Sequence, residues 1–235
     1  MRYLLLASSL LLFFALPAQP QAGASARDFL QRGNTLMGRN KVAAAIETYT
    51  KAIELNPRYA EAYVRRGMAR RAAGDLDGSI EDYEMASSIN PKLTANNRAV
   101  AESYSNRGRN EFEVMKIEAA IEDLTKAIEI SPDEADHYYR RGRALIVKED
   151  FERAIADLDK ALSMSSPRNS LVMALIYANR GMAKLLQGKE AEARSDFDKC
   201  IKLHRGDILE SHVHELGWRI MLMRQRRAEQ QKSIG

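Results

Sequence analysis

The feature that most constrains this chain is an Arg-Gly pair that occurs five times, each time about three residues after an aromatic side chain. The pairs are Arg32-Gly33, Arg66-Gly67, Arg107-Gly108, Arg141-Gly142 and Arg180-Gly181. The gaps between successive glycines are 34, 41, 34 and 39, so one unit is repeated with two short insertions. Periods of this size are typical of arrays in which each supersecondary unit packs only on its neighbours.

Each unit reads as two short amphipathic helices separated by a turn. In the first unit the residues that share a face at helical spacing are Phe29, Arg32, Gly33 and Leu36, and then Ala45, Tyr49 and Ala52. The helix-weak run 38–40 separates these two sets, and Asn56-Pro57 ends the second helix. Neither helix buries its apolar stripe alone, so we expect neighbouring hairpins to stack.

This arrangement resembles the tetratricopeptide repeat, whose pattern is an aromatic residue, Leu-Gly, a second aromatic residue, and then Ala, Phe and Pro. The second unit carries the pattern as Tyr63, Gly67, Ser79, Tyr83, Ala86 and Pro91. The resemblance implies an all-α superhelical solenoid of five helix-turn-helix hairpins, with repeats at 27–59, 60–100, 101–134, 135–173 and 174–206. The apolar stripe that follows, within 207–235, predicts a C-terminal capping helix with a basic tail.

The recurrent glycine predicts a steric requirement where the two helices of a hairpin cross. Glycine in a helix costs about 1 kcal/mol relative to alanine, so its recurrence implies that a second backbone comes close at that point. Gly33, Gly67, Gly108, Gly142 and Gly181 are therefore expected to be structural positions of the repeat.

An aspartate stands at position i+16 relative to the signature arginine in four of the five units. These pairs are Arg66 with Asp82, Arg107 with Asp123, Arg141 with Asp157, and Arg180 with Asp196, whereas the first unit has Thr48 at this place. A constant spacing in a two-helix hairpin predicts a constant relative placement, so we expect ion pairs between the paired helices. A role of these residues in gripping a ligand is the alternative.

The two insertions fall around 92–100 and 167–173, before the third and fifth units. Extra residues of this kind either form a loop or lengthen the first helix of the following hairpin. Helical extension is favoured because 95–103 and 171–178 contain neither glycine nor proline. A loop near Asn96-Asn97 is the alternative.

Residues 1–24 predict a signal peptide that is cleaved after residue 24 or 26. Arg2 precedes the apolar run 4–16, which is shorter than the ~20 residues that a membrane-spanning helix needs. We therefore expect an exported protein, periplasmic or secreted, that is membrane-anchored only if the signal peptide is not cleaved. No later segment predicts a transmembrane helix.

Composition and motifs argue against several classes of function. The net charge is only +4 and both signs are interleaved, which argues against nucleic acid as a partner. His204, His212 and His214 complete no metal-ligand spacing. Cys200, the only cysteine, aligns with small alanines of the other units. Phosphate-binding loops and nucleophile or metalloprotease motifs are absent from the sequence. We therefore expect no enzymatic activity, no cofactor and no metal.

The resemblance also implies that the first helix of each hairpin lines a concave groove, which binds peptides or segments of other proteins. Register places these residues near the groove: Asn34, Met37, Arg65, Met68, Asn106, Arg109, Phe112, Tyr139, Arg140, Arg143, Asn179 and Met182. Arginine and asparagine side chains bind carboxylates or peptide backbone, and methionine adapts to varied apolar groups. Solvation of a curved surface is the alternative.

Some members of the family clamp a C-terminal carboxylate with a Lys-Asn-Asn-Lys-Arg set. Leu30, Arg65 and Glu102 occupy three of those places here, so the clamp is not reproduced. The sequence therefore predicts a non-enzymatic scaffold that binds a protein or peptide partner through its concave groove. The alternative is an accessory or regulatory subunit docked on an envelope enzyme or assembly complex.

Overall fold

The computed structural model describes residues 24–95, 97–166 and 168–203, and beyond them residues 214, 215, 217, 219, 220 and 229. Within these residues the structure is helical throughout and contains no strand. The helices are α1 (Ala26–Gly38), α2 (Val42–Leu55), α3 (Ala60–Ala72), α4 (Leu76–Ile89), α5 (Arg98–Glu113), α6 (Ile117–Ile130), α7 (Ala135–Lys148), α8 (Phe151–Met164), α9 (Ser170–Leu186) and α10 (Glu190–Leu203), with a short 3₁₀ helix at Pro91–Leu93.

None of the described helices is both long and apolar enough to cross a membrane. The predicted signal peptide lies outside the described residues except for residue 24, and so do most of 207–235 and the side chains of His204 and His212. The expectations for those segments stay predictions.

The ten long helices of the described part pair in chain order into five antiparallel hairpins, as the repeat predicts. The first helices of neighbouring hairpins, α1, α3, α5, α7 and α9, contact one another in succession, and we call them the inner helices. The second helices, α2, α4, α6, α8 and α10, make no such contacts within the described residues, and we call them the outer helices. Because only the inner helices contact one another from hairpin to hairpin, the array curves toward them. They therefore line its concave side.

Side-chain caps and a left-handed turn fix where the helices begin and end. Ser25 and Asp28 form a reciprocal capping box at the start of α1, which satisfies two free backbone N–H groups. Between the two helices of every hairpin, the residue seven positions after the signature glycine has a positive φ. These residues are Asn40, Gly74, Met115, Glu149 and Gly188, with φ from 56° to 86°. A single left-handed residue ends the first helix and reverses the chain without a longer loop.

The predicted steric requirement at the signature glycines is confirmed. A Cβ atom added at Gly142 would lie 2.9 Å from Cγ of Leu158, and one at Gly33 would overlap the ring of Tyr49. Equivalent contacts of 2.6 to 3.0 Å would occur at Gly67, Gly108 and Gly181. In each hairpin the crowding side chain comes from the outer helix, so the glycine sets the distance between the paired helices.

The predicted ion pairs are also confirmed in the four hairpins that have the aspartate. Each arginine donates from Nε and Nη2 to both carboxylate oxygens, with donor–acceptor distances of 2.7 and 2.8 Å for Arg141 and Asp157. The distances at the other three pairs run from 2.5 to 3.2 Å. The side chains of Asp157 and Arg141 are only 9% and 15% exposed. Hydrogen bonding to Asp157 raises the pKa of Arg141. We call each bidentate pair a clamp.

Each clamp arginine has a third contact that the sequence reasoning missed. Nη1 reaches back to the outer helix of the preceding hairpin, and its acceptors are Thr50 for Arg66, Asp77 for Arg107, Thr125 for Arg141 and Asp159 for Arg180. One guanidinium group therefore holds its own hairpin closed and also joins it to the hairpin before. Thr50 and Thr125 lie 16 residues before their arginines, which is the signal that could have indicated them.

The first hairpin provides a natural contrast. Thr48 replaces the aspartate there, and its hydroxyl donates to the carbonyl of Ala44 at 2.6 Å. Arg32 is exposed and forms no ion pair with any described residue. The outcome supports the pairing interpretation, because the arginine stays in solvent where its acceptor is missing.

The two insertions divide between helix and turn. Inner helices α5 and α9 begin three and four residues earlier, relative to their glycines, than α1, α3 and α7, so the following helix is lengthened by about one turn. Helical extension is confirmed for 171–178 and for 98–103. It is wrong for residue 95, which follows the 3₁₀ helix in a turn, because Asn97 caps α5 through the N–H of Ala99 and fixes its start.

Cys200 is a core residue, as its alignment with the alanines predicts. The residue is 1% exposed and packs with Ala174 and Ala178 between α9 and α10. Burial raises the pKa of its thiol, so the reactive thiolate form is disfavoured.

We expect Gly142→Ala to lower the free energy of unfolding by roughly 1–3 kcal/mol, and Gly142→Leu by more, because the added carbons overlap Leu158 in a packed crossing. Urea denaturation followed by circular dichroism measures the difference. Gly38→Ala is the matched control, since a Cβ there meets nothing within 4 Å. Equal stabilities of the two alanine variants would contradict the steric role.

We expect Arg141→Ala to cost roughly 3 kcal/mol, because it leaves the buried carboxylate of Asp157 without its cation. Arg32→Ala removes the same side chain from the hairpin without an aspartate, and it should change the free energy of unfolding by less than about 0.5 kcal/mol. Urea melts of both variants make the comparison. A similar loss in both would show that the clamp is not what stabilises the hairpin.

Candidate functional site

The inner side of the first three hairpins is open to solvent. Asn34, Arg65 and Arg109 are exposed on α1, α3 and α5, and Met37 and Met68 are half-buried beside them. Arg109 forms no ion pair with any described residue. We call this the open half of the inner surface. It offers cationic, amide and thioether groups along three neighbouring helices.

Two of these groups also have contacts within the protein. The hydroxyl of Tyr49 donates to Oδ1 of Asn34 at 2.9 Å, which leaves the amide nitrogen of Asn34 available as a donor. Arg65 pairs with Glu61 on the same helix at 3.4 Å, and the two side chains are 43% and 45% exposed. An exposed pair of this kind contributes at most about 1 kcal/mol, so a ligand carboxylate competes readily for Arg65.

On the inner side, the C-terminal end of α5 and the part of α7 that carries Arg143 are covered by the chain itself. The described residues His214, Glu215, Gly217, Arg219 and Ile220 are helical, and we call them the C-terminal segment. Within this segment Arg219 lies against the end of α5 and Glu215 against α7. The capping helix was expected to close the end of the stack, whereas these residues contact hairpins that precede the last one in the chain.

Arg219 is the centre of this contact. Its Nη1 donates to the carbonyl oxygen of Phe112 at 3.0 Å, and its Nη2 pairs with Glu113 at 2.5 Å. The guanidinium carbon lies 4.5 Å from the centroid of the Phe112 ring. Nη1 also lies 3.5 Å from the sulfur of Met115, the left-handed turn residue of this hairpin. Only 8% of the Arg219 side chain is exposed.

Glu215 and Ile220 extend the contact on either side of Arg219. Glu215 accepts from Nη2 of Arg143 at 2.8 Å, and the Arg143 guanidinium carbon lies 4.9 Å from the Phe112 ring centroid. Ile220 is 5% exposed and belongs to the buried cluster that contains Phe112 and Ile146. We call this face of α5 and α7 the covered half of the inner surface.

The predicted groove residues thus fall into three groups. Asn34, Met37, Arg65, Met68, Asn106 and Arg109 are exposed or half-buried on the first three inner helices. Phe112 and Arg143 touch the C-terminal segment. Asn179 and Met182 are buried within the stack, and half-buried Tyr139 and Arg140 lie on α7. All twelve residues lie on inner helices, but the stack buries Asn179 and Met182, and a segment outside the repeats contacts Phe112 and Arg143. A role of these residues in binding a partner stays a prediction.

A polar cavity of about 240 Å³ lies between the first turns of α5 and α7. The charged side chains that line it are Arg98, Glu102, Glu134, Asp136 and Arg140. His137 also lines it, with 4% exposure, and its Nδ1 lies 3.1 Å from Oγ of Ser105. Burial lowers the pKa of His137, which favours the neutral ring in the folded protein. The sequence reasoning missed this histidine because its surroundings come from two different hairpins.

Two comparisons with sequences concern the repeats. A family model described as tetratricopeptide repeat matches residues 30–92 and 106–169, and a second model with the same description matches 174–206. The chain is 34% identical over 109 residues to small glutamine-rich tetratricopeptide repeat-containing protein 2 of Mycosarcoma maydis, a match that covers 46% of the chain and 29% of that protein. It is 30% identical over 128 residues to Hsc70-interacting protein 1 of Drosophila melanogaster, covering 50% and 32%. The chain spans about a third of the length of these relatives.

Solved structures have the same architecture. A crystal structure of MamA superposes with a TM-score of 0.57 and 22% identity, covering 77% of this chain and 93% of that one. YrrB, described as a TPR protein with an unusual peptide-binding site, superposes with a TM-score of 0.61 and 17% identity, covering 81% and 92%. At these identities the similarity shows the fold alone.

The neutral, buried state of His137 predicts a pH dependence of stability. Its pKa in the folded protein lies below the unfolded value of about 6.5, so the unfolded chain binds a proton that the folded chain does not. We therefore expect His137 to make the free energy of unfolding fall as the pH drops below about 6.5. Urea melts at several pH values between 7.5 and 5 give the free energy of unfolding at each pH. This free energy should fall more steeply with decreasing pH for the native protein than for His137→Gln. The Ser105→Ala variant keeps the ring and should keep the slope, and identical slopes for the native protein and His137→Gln would contradict the expectation.

Proposed function

We propose, from the premise that this chain belongs to the tetratricopeptide repeat family, that it is a non-enzymatic scaffold which binds a segment of a partner protein through the open half of its inner surface. The observation that carries the proposal is the row of accessible side chains on three neighbouring inner helices. Asn34, Arg65 and Arg109 are exposed there, while the clamp arginines of α3 and α5 are engaged within the stack.

The chemistry of the open half favours an extended segment that carries carboxylates. Arg65 and Arg109 are cations that bind a carboxylate through paired N–H donors. The free amide nitrogen of Asn34 suits a backbone carbonyl of the partner. Met37 and Met68 supply adaptable apolar contacts between these polar groups. The partner segment is therefore expected to alternate acidic and apolar residues.

The names of the relatives support a protein as the ligand. One relative is named as interacting with Hsc70, and another, from Aspergillus fumigatus, is named as a heat-shock protein cognate co-chaperone. The Lys-Asn-Asn-Lys-Arg set with which some members of the family bind a C-terminal carboxylate is not reproduced here. Leu30, which stands at one of its places, is only 4% exposed. These facts favour a partner segment that is recognised through its side chains and not through a C-terminal carboxylate.

We further propose that residues 1–24 direct export of the chain, with cleavage after residue 24 or 26. The observation behind this is the short apolar run that follows Arg2. Determination of the N-terminus of the protein isolated from its native cells tests the proposal. Retention of Met1 would contradict it.

A photo-crosslinking amino acid at Asn34 should capture a partner in living cells, and the combined charge reversals Arg65→Glu and Arg109→Glu should reduce the yield of that product at least fivefold. The reason is that both cations are removed from the open half while the clamps stay intact. Immunoblotting followed by mass spectrometry measures the product. The matched control Arg194→Glu, on the exposed side of α10, should leave the yield unchanged.

The same experiment tests the docked-subunit alternative. Met85 and Ile201 are 46% and 52% exposed on outer helices α4 and α10. Crosslinks that form from these two positions, and not from Asn34, would favour a subunit docked through its outer side and would contradict binding at the open half.

A further inference from the structure

We propose that the covered half of the inner surface is a second binding site, a receptor for an amphipathic helix that presents an arginine. In this structure the chain's own C-terminal segment occupies the receptor, and a partner helix of the same chemistry replaces that segment. The inference rests on the proposed function only in that both concern protein partners, because the two halves use different residues.

The receptor is built to hold a cation at the end of a helix. Inner helix α5 ends at Glu113, and the last carbonyl groups of a helix carry partial negative charge. The carbonyl of Phe112 is one of these groups, and Arg219 donates to it at 3.0 Å. The carboxylate of Glu113 and the face of the Phe112 ring add two further interactions that favour a cation. Four groups of one hairpin end, counting the sulfur of Met115, thus converge on one guanidinium.

The receptor also selects what lies beside the arginine. Arg143 binds the carboxylate of Glu215, which lies one helical turn before Arg219 and pairs with its Nε at 3.2 Å. Ile220, the next residue after Arg219, enters the apolar cluster of α5 and α7. The pattern that fits is therefore an acidic residue, an arginine four positions later and an aliphatic residue directly after it.

The C-terminal segment is suited to exchange with a competitor. It is separated from its contacts by 72 to 107 residues of sequence, so its release does not require any hairpin to open. The clamps and signature glycines that hold the hairpins involve none of its residues. Glu113 and Glu215 are 52% and 35% exposed, so two of the ionic contacts are accessible to water. A tethered segment competes at a high effective concentration, which keeps weak ligands out.

The test uses the full chain and a labelled synthetic peptide with the sequence of 207–227 as the probe. The tethered segment should keep the probe's affinity for the native protein low. Arg219→Ala should release the segment and raise the affinity for the probe at least tenfold, since the receptor residues are unchanged. Glu215→Lys, which places a cation opposite Arg143, should act in the same direction. Fluorescence polarisation of the probe measures the binding.

Two controls make the result specific. The matched variant Arg194→Ala should leave the affinity at the native value, and a probe in which the arginine equivalent to Arg219 is alanine should not bind the released variants. Equal probe affinities of the native protein and the Arg219→Ala variant would overturn the proposal. The open half takes no part in this measurement, so its outcome is independent of the crosslinking result at Asn34.

Discussion

The bidentate contact between an inner-helix arginine and an outer-helix aspartate is the interaction on which the rest of this array depends. In four hairpins it fixes how the two helices face each other, while the glycine beside the arginine fixes how closely they approach. The third donor of the same guanidinium then reaches the preceding hairpin. In these four hairpins one arginine side chain therefore contributes both to the packing within the hairpin and to its stacking on the hairpin before it.

Sequence reasoning was strongest where a contact recurs at constant spacing. Gly142 and the pair of Arg141 with Asp157 were predictable because the units repeat them, so periodicity alone indicates a shared structural role. The contact of Arg107 with Asp77 was not predictable, because it spans 30 residues where Arg66 and Thr50 are 16 apart, and the seven-residue insertion before the third unit accounts for only half of that difference. The contact of Arg219 with the end of α5 was the least predictable feature of the structure. Its partners on α5 are 107 and 106 residues away in the sequence and occur once, so no periodic signal could indicate them.

The inner surface shows how a uniform scaffold becomes two different surfaces. The same register position of the inner helix carries Arg109 in the third hairpin and Arg143 in the fourth, yet one is exposed and the other is engaged with Glu215. The difference does not come from the repeat. It comes from a segment outside the repeats whose arginine is complementary to the end of α5. The inner surface therefore has accessible cations on α3 and α5 and an occupied cation site at the end of α5.

The third contacts of the clamp arginines also give the joints between hairpins different mechanical character. At the joints between hairpins one and two, and three and four, the acceptor is a threonine hydroxyl, Thr50 or Thr125. At the other two joints it is a carboxylate, Asp77 or Asp159, and these side chains are 80% and 54% exposed. Exposed charge pairs weaken as ionic strength rises, whereas hydrogen bonds to neutral hydroxyls respond far less. The two joints where insertions interrupt the repeat are therefore held by contacts that weaken in salt, whereas the two threonine joints keep theirs.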